Sequence, residues 1–437
     1  MTVGPHEDGG PDRSESFGEV LLGGFLDHAH ALPPDRVGPA LSDVLTRIGG
    51  RDPQILLQDY GQRSLVPLAG DGLADGDPVP IDGSAAGHCF LTSRPVEVPV
   101  VEGVRVHVPL LDGGDQAGVL AVTLDAVDDD ARRLLRRLSA LAADTIRTKN
   151  GYTDLFFRTR RGEAMSVAAE IQWSLLPPLA MTMPRVAVAG VLEPAYDVAG
   201  DSFDYALNGD VLHLAMIDAM GHGLDAATMA TVAIGAYRHA RRTSVELSEI
   251  YLFMDRAVAE QFAPDHFVTA QMLRLDTGTG RLQWVNAGHP APMLIRHHRV
   301  VRRLDSPTTL PVGFGGDQPQ VSEVALEPGD RILCFTDGLI EEHESGQEEF
   351  GEGRLIDWVH RLDRADRSVR AVARDLSHTL RRARGGVTTD DATLVLIEWR
   401  GRGRRGPGAS GFAAEYVGST GSTSYTRCHA DVVPGAH

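Results

Sequence analysis

Apolar and polar residues alternate along 104–111 (VRVHVPLL), where Val104, Val106 and Val108 are interleaved with Arg105 and His107. That period of two predicts a half-buried strand. A turn at 112–114 and a second apolar run at 118–124 (GVLAVTL) complete a hairpin signal. Other short strand-like runs, separated by Gly, Pro and Asp, fill a first folded region over 18–128. Over 129–179 the pattern changes to a helical period. Leu134, Leu138, Leu141, Thr145, Thr148, Tyr152 and Leu155 fall at alternating spacings of four and three, the period of a coiled-coil seam. After a phase shift, Ala164, Ala168, Ile171 and Leu175 repeat it until Pro177 and Pro178 stop the helix. Such a stripe either packs on its own domain or dimerises and carries a signal; the dimerising linker is the expectation.

The third region, 184–400, predicts strands at 185–192, 198–207, 210–218, 267–275, 281–286, 291–296, 321–326, 330–336 and 392–399. Helices are predicted at 223–242, 246–262, 352–362 and 367–384. Strands follow one another in hairpin fashion and helices come in pairs. This is an α+β arrangement of antiparallel sheets covered by helix pairs, not a parallel sheet. The flanks, 1–17 and 401–437, are Gly-rich and polar and are expected to be disordered.

Composition removes several chemistries. The chain has 42 Lys+Arg against 60 Asp+Glu, a formal charge of −18, which ranks nucleic acid and anionic lipid low as partners. Lys149 is the one lysine, in no phosphate-loop, kinase-strand or Schiff-base context. Cys89, Cys334 and Cys428 are far apart and odd in number, so no disulfide framework or four-thiolate zinc site follows. No apolar run approaches the ~18 residues of a membrane span, and the N-terminus has no basic-then-apolar leader pattern; a cytoplasmic location without membrane contact is expected. His28 and His30 form an HxH pair with no third ligand placed nearby and are not read as a metal site.

Chemistry concentrates in aspartates at strand ends. Asp201 lies in VAGDSFDY, Asp218 ends VLHLAMID, Asp337 ends RILCFTD, and Asp390 and Asp391 precede ATLVLIEW. A carboxylate at the end of an apolar strand is costly to bury unless paired or metal-bound. Little positive charge stands near these residues beyond His222 and Arg331, so a shared hard cation is expected. Asp204, three residues after Asp201, points to the opposite face and is set aside. Of the adjacent Asp390 and Asp391, at most one points inward. Gly221 and Gly223 allow a tight turn after Asp218, and Ala219 could offer its carbonyl.

The motifs VAGDSFD, IDAMGHGLDAA, FVTAQMLRLD, WVNAGHPAP, CFTDGLIE and TTDDATLV resemble the SpoIIE-like branch of the PPM-type metal-dependent protein serine/threonine phosphatases, over about 215 residues. AEIQWSLLPP resembles the linker that precedes such domains, and VPLLDGGDQAGVLAV resembles a GAF-type sensor domain. The resemblance implies an αββα sandwich phosphatase domain behind a smaller α/β GAF-like domain and a helical linker. It implies two Mn2+ or Mg2+ ions held by Asp201, Asp218, the Ala219 carbonyl, Asp337 and Asp390, with Asp218 bridging; Asp391 is passed over because the family ligand precedes a residue that is often Asp or Asn. It also implies a phosphorylated anti-anti-sigma (STAS-type) substrate, a small-molecule or protein signal at the sensor, and a homodimer. The competing expectations are a catalytically silent sensor or adaptor of the same fold and a small-molecule phosphoesterase. His222, His289 and Asn286 are read as loop-ordering residues, and Arg185 as the nearest arginine with nothing further to recommend it as a phosphate grip.

Overall fold

The computed structural model describes residues 12–193, 196, 200–243, 245–339, 351–363, 367–383 and 391–401. The expected disorder of 1–11 and 402–437 lies outside those residues. Residues 12–17 are described, and Ser14 caps the first helix by accepting from Phe17 N.

The first domain contains α1 (Glu15–Ala29), α2 (Val37–Arg47), β1 (Arg51–Gln58), β2 (Ser64–Pro67), β3 (Val79–Pro80), α3 (Ala85–Thr92), β4 (Val96–Val100), β5 (Gly103–Asp112), β6 (Asp115–Leu124) and α4 (Asp129–Asn150). The six strands form one antiparallel sheet in the order β3-β2-β1-β6-β5-β4. Side-chain alternation divides its residues between two cores. Ile55, Leu57, Leu120 and Val122 pack under α1, α2 and α4, whereas Leu56, Val119 and Ala121 pack against Cys89 and Phe90 of α3. The predicted hairpin is β5–β6, closed by Gly113 and Gly114.

Asp128 caps α4 at Ala131 N, 2.7 Å. Leu134 and Leu138 of the expected coiled-coil seam are buried against the sheet of their own domain, and Tyr152 is exposed. Truncating either leucine should cost about 2–5 kcal/mol, as for other core leucines. Lys149 is also buried at the end of α4, where its ammonium donates to the Leu32 carbonyl and contacts Tyr152 Oη at 3.3 Å. Two short helices, α5 (Leu155–Arg160) and α6 (Val167–Leu175), continue the chain; α6 stops before Pro177 and Pro178.

The second domain adds β7 (Ala180–Thr182), β8 (Val186–Glu193), β9 (Asp201–Asn208), β10 (Val211–Ala219), α7 (Gly223–Arg242), α8 (Leu247–Gln261), β11 (Val268–Asp276) and β12 (Arg281–Ala287). There follow β13 (Met293–Arg296), β14 (Arg299–Arg303), β15 (Ser322–Ala325), β16 (Arg331–Phe335), α9 (Glu352–Leu362), α10 (Val369–Ala383) and β17 (Ala392–Trp399). One sheet runs β15-β12-β11-β10-β9 and the other β14-β13-β16-β17-β8-β7. Phe203, Leu214, Met216, Cys334, Val395 and Ile397 fill the space between them. α7 and α8 cover the first sheet over Ala215, Ile217 and Met272; α9 and α10 cover the second over Leu333, Phe335 and Leu394. This is the expected αββα sandwich. The short edge strands β7 and β14 lacked a readable apolar period. Among the described residues no helix is long and apolar enough to cross a membrane.

The two domains touch through α10 and the residue before it, and through β7. Arg374, 2% exposed, makes a two-pronged pair with Asp82 at 2.6 and 3.0 Å and donates to the Gln62 carbonyl at 3.0 Å. Ser368 Oγ donates to Leu91 O at 3.1 Å, and Thr182 N to Gly114 O at 2.8 Å.

Candidate metal centre

The alternation that places Phe203 and Tyr205 between the sheets also turns Asp201 inward at the start of β9. Asp204 has the opposite parity. It is buried beneath α7, where it pairs with Arg238 at 2.7 Å and Arg241 at 2.6 Å, as expected for a residue outside the site. On β10, Leu212, Leu214 and Met216 face inward, and Asp218 continues that row directly opposite Asp201. The neighbouring pair exchanges a backbone hydrogen bond, Ala219 N to Gly200 O at 3.2 Å. Asp201 and Asp218 therefore form the intervening close pair of the antiparallel ladder, with Cα atoms roughly 4.5 Å apart.

The second sheet brings its own residues to the same end. Thr336 follows β16 on the inward row of Ile332 and Cys334, and its hydroxyl donates to Asp201 Oδ2 at 2.7 Å. Asp337 opens a single 3-10 turn, Asp337–Leu339, where its Oδ1 accepts from Gly338 N at 2.8 Å. Asp391 precedes β17 in the inward row of Thr393 and Val395. Its Oδ2 accepts from Gly200 N at 2.9 Å and Asp201 N at 3.3 Å. Asp390 lies outside the described residues. Two glycines permit this convergence: a Cβ at Gly200 would stand 2.2 Å from the Ala219 carbonyl oxygen, and one at Gly338 1.7 Å from that of Asp391. Gly221 and Gly223 both adopt positive φ, 93° and 71°, in the turn from Asp218 into α7.

Burial pushes the Asp201 carboxyl well above the usual carboxylate range, and the charges of Asp218 and Asp391 push it further; the Thr336 hydrogen bond offsets part of this. Among the described residues no three acidic, histidine or cysteine side chains converge closely enough to hold an ion by themselves. The donors brought together are nevertheless all hard oxygens. A fully buried carboxylate facing two further carboxylates is an arrangement that a divalent cation would relieve. The residues therefore fit Mg2+ or Mn2+, and carry no thiolate or imidazole set for a softer metal.

The remaining candidates divide clearly. Asn286 donates to the His289 carbonyl at 2.7 Å and accepts from His289 N at 2.8 Å, so the pair locks its own turn. The His289 ring sits 2.9 Å from Thr269 Oγ1, and Thr269 is the cross-strand neighbour of Asp218. Burial pushes this imidazole down to about 3, so it is neutral near pH 7. His222 is exposed at the N-cap of α7 and makes no side-chain cap bond. Arg185 pairs with Asp210 beside the far end of the β9–β10 hairpin, and Arg331 with Asp363 and Glu398 at the far end of β16; neither reaches the carboxylates. Sequence reading missed Thr336 and Gln172. Thr336, whose partner is the Asp201 carboxylate, had a signal, a polar residue at an inward position just before a strand-end aspartate; Gln172 of α6, whose side-chain amide donates to the Asp201 carbonyl, stands in a helix with no such neighbour and had none.

A family model described as Stage II sporulation protein E (SpoIIE) matches residues 208–400. This segment belongs to the SpoIIE family. The chain is similar to phosphoserine phosphatase RsbP of Bacillus subtilis, 24% identical over 192 residues, covering 42% of this chain and 47% of the relative. It is also similar to phosphoserine phosphatase RsbU of the same organism, 22% identical over 179 residues, 40% of this chain and 53% of that one. The chain thus spans about half the length of these curated relatives. Among solved structures, the RsbU and RsbW domains of Rv1364c from Mycobacterium tuberculosis are 27% identical, covering 50% of this chain and 62% of that one at a TM-score of 0.45.

Proposed function

We propose that this chain is a divalent-metal-dependent phosphoserine/phosphothreonine protein phosphatase. The observation that carries the reading is the close cross-strand pair Asp201–Asp218, roofed by Thr336 and Asp391 from the opposite sheet. Asp201, Asp218, the Ala219 carbonyl, Asp337 and Asp390 would hold two Mn2+ or Mg2+ ions. When bound, such ions lower the pKa of a coordinated water and offset the charge on the phosphoryl group. The protein's own part is preorganisation. Thr336 orients the Asp201 carboxylate, Asp391 holds the Gly200–Asp201 backbone, and Gly221 and Gly223 open space beside Asp218 for a phosphoryl group.

The names of the RsbP and RsbU relatives support phosphoserine as the substrate group, and a phosphorylated STAS-type anti-anti-sigma protein is the substrate class we favour. The first domain is proposed as a GAF-like sensor that biases the SpoIIE-type domain through the Arg374–Asp82 contact, in a cytoplasmic homodimer. Leu134 and Leu138 are already buried, so dimerisation would use another surface.

The test is hydrolysis of an aryl phosphate with and without Mn2+, comparing wild type with Asp218→Ala and Asp337→Ala. Activity should vanish in EDTA and in both variants while the circular dichroism spectrum stays native. Full activity in Asp218→Ala would refute the bridging role.

A further inference from the structure

β9 is the edge strand of its sheet, so at Asp201 the main-chain N–H and C=O point away from β10. Both groups are occupied from outside the sheet. Asp391 takes the N–H, and the side-chain amide of Gln172, on α6, donates to the C=O. Gln172 is 2% exposed. The reverse amide orientation would set its carbonyl oxygen against that of Asp201, so the NH2 must face the strand.

The same helix is held on two sides. Arg238 of α7 donates to the Leu175 carbonyl at its C-terminal end. Trp173, the residue after Gln172, packs on Tyr60 of the first domain, with ring centroids 4.6 Å apart. Consecutive helical residues point about 100° apart, so α6 presents Gln172 to the Asp201 main chain and Trp173 to the first domain.

We infer that Gln172 is a positioning residue for the metal centre: its amide fixes the Asp201 main chain, and through it the Asp201 carboxylate, so this one side chain of α6 does more than tether the helix. This rests on the divalent-metal reading above. Groups that orient metal ligands from one bond away typically affect affinity by about 10–100-fold.

The experiment is isothermal titration of Mn2+ into the chelator-stripped full chain. Wild type is compared with Gln172→Met, which keeps length and burial but removes the donor, and with Glu170→Gln, an exposed change on the same helix. Melting of each protein in EDTA is recorded alongside. We expect Gln172→Met to bind Mn2+ at least tenfold more weakly with a metal-free melting point near wild type, and Glu170→Gln to bind as wild type does. KM for an aryl phosphate at saturating Mn2+ should be unchanged in Gln172→Met. Equal Mn2+ affinity in Gln172→Met and wild type would overturn the inference, as would equal weakening in Glu170→Gln. If Gln172→Met fails to fold, the affinity is read from Gln172→Glu, and an unchanged value there overturns it equally. A wild-type chain that binds no Mn2+ would instead sink the metal reading itself.

Discussion

Asp201 and Asp204 lie three residues apart on one strand, and replacing each should have opposite effects on the metal-free protein. Asp204 is buried between Arg238 and Arg241, and the Arg241 side chain is itself only 6% exposed. Asp204→Ala leaves a guanidinium buried without its partner, which costs about 3–5 kcal/mol. At roughly 2–4 °C per kcal/mol for a domain of this size, melting should fall by about 6–20 °C. Asp201 instead faces the like charges of Asp218 and Asp391. Two unit charges ~5 Å apart at an effective dielectric of ~20 repel by about 3 kcal/mol. Partial protonation and the lost Thr336 interaction reduce that gain, so Asp201→Asn should raise metal-free melting by about 2–12 °C, for a gain of about 1–3 kcal/mol, while abolishing Mn2+-dependent hydrolysis.

The pH dependence follows from the same shift. With its folded pKa raised, Asp201 holds its proton in the folded chain after the unfolded chain has released it, above about pH 4. The folded state then binds more protons, so this group makes stability fall as pH rises through that window. The advantage of Asp201→Asn should be absent below about pH 4 and grow above it. The assay is differential scanning fluorimetry in EDTA across pH 3.5–7.5. A melting point for Asp201→Asn as far below wild type as that of Asp204→Ala would refute the assignment of the two faces.

Other outcomes test separate parts of the structure. Gly338→Ala, whose Cβ would meet the Asp391 carbonyl, should weaken Mn2+ binding at least tenfold by titration, because neither backbone can retreat without moving Asp337 or Asp391. Asp82→Ala strands the buried Arg374, whereas Arg374→Met leaves an Asp82 that water reaches readily; urea midpoints should show the first as the more damaging by about 1–3 kcal/mol. Burial pushes the Cys89 and Cys334 thiols up to about 12, so mass spectrometry should find both unalkylated by iodoacetamide at pH 8 until denaturant is added.

The residue pattern alone determined the elements and the sides of the strands. Nearly every strand and helix of 184–400 was legible: the helices have one buried face and so a period of 3.6, and the central strands, buried on both faces, read as apolar runs of strand length bounded by turn residues, with successive side chains on opposite sides. The same parity separated Asp201 from Asp204 without any knowledge of the sheet partners. What the pattern could not decide was which buried surface each stripe meets. Leu134 and Leu138 have the spacing of a dimer seam, yet a six-stranded sheet in their own domain covers them; amphipathicity records that a face is buried, not by what. Nor could it reveal that Gln172 and Thr336 converge on Asp201 from 29 and 135 residues away. Such bonds are set by how two sheets and a helix stack, and only the tertiary structure makes them.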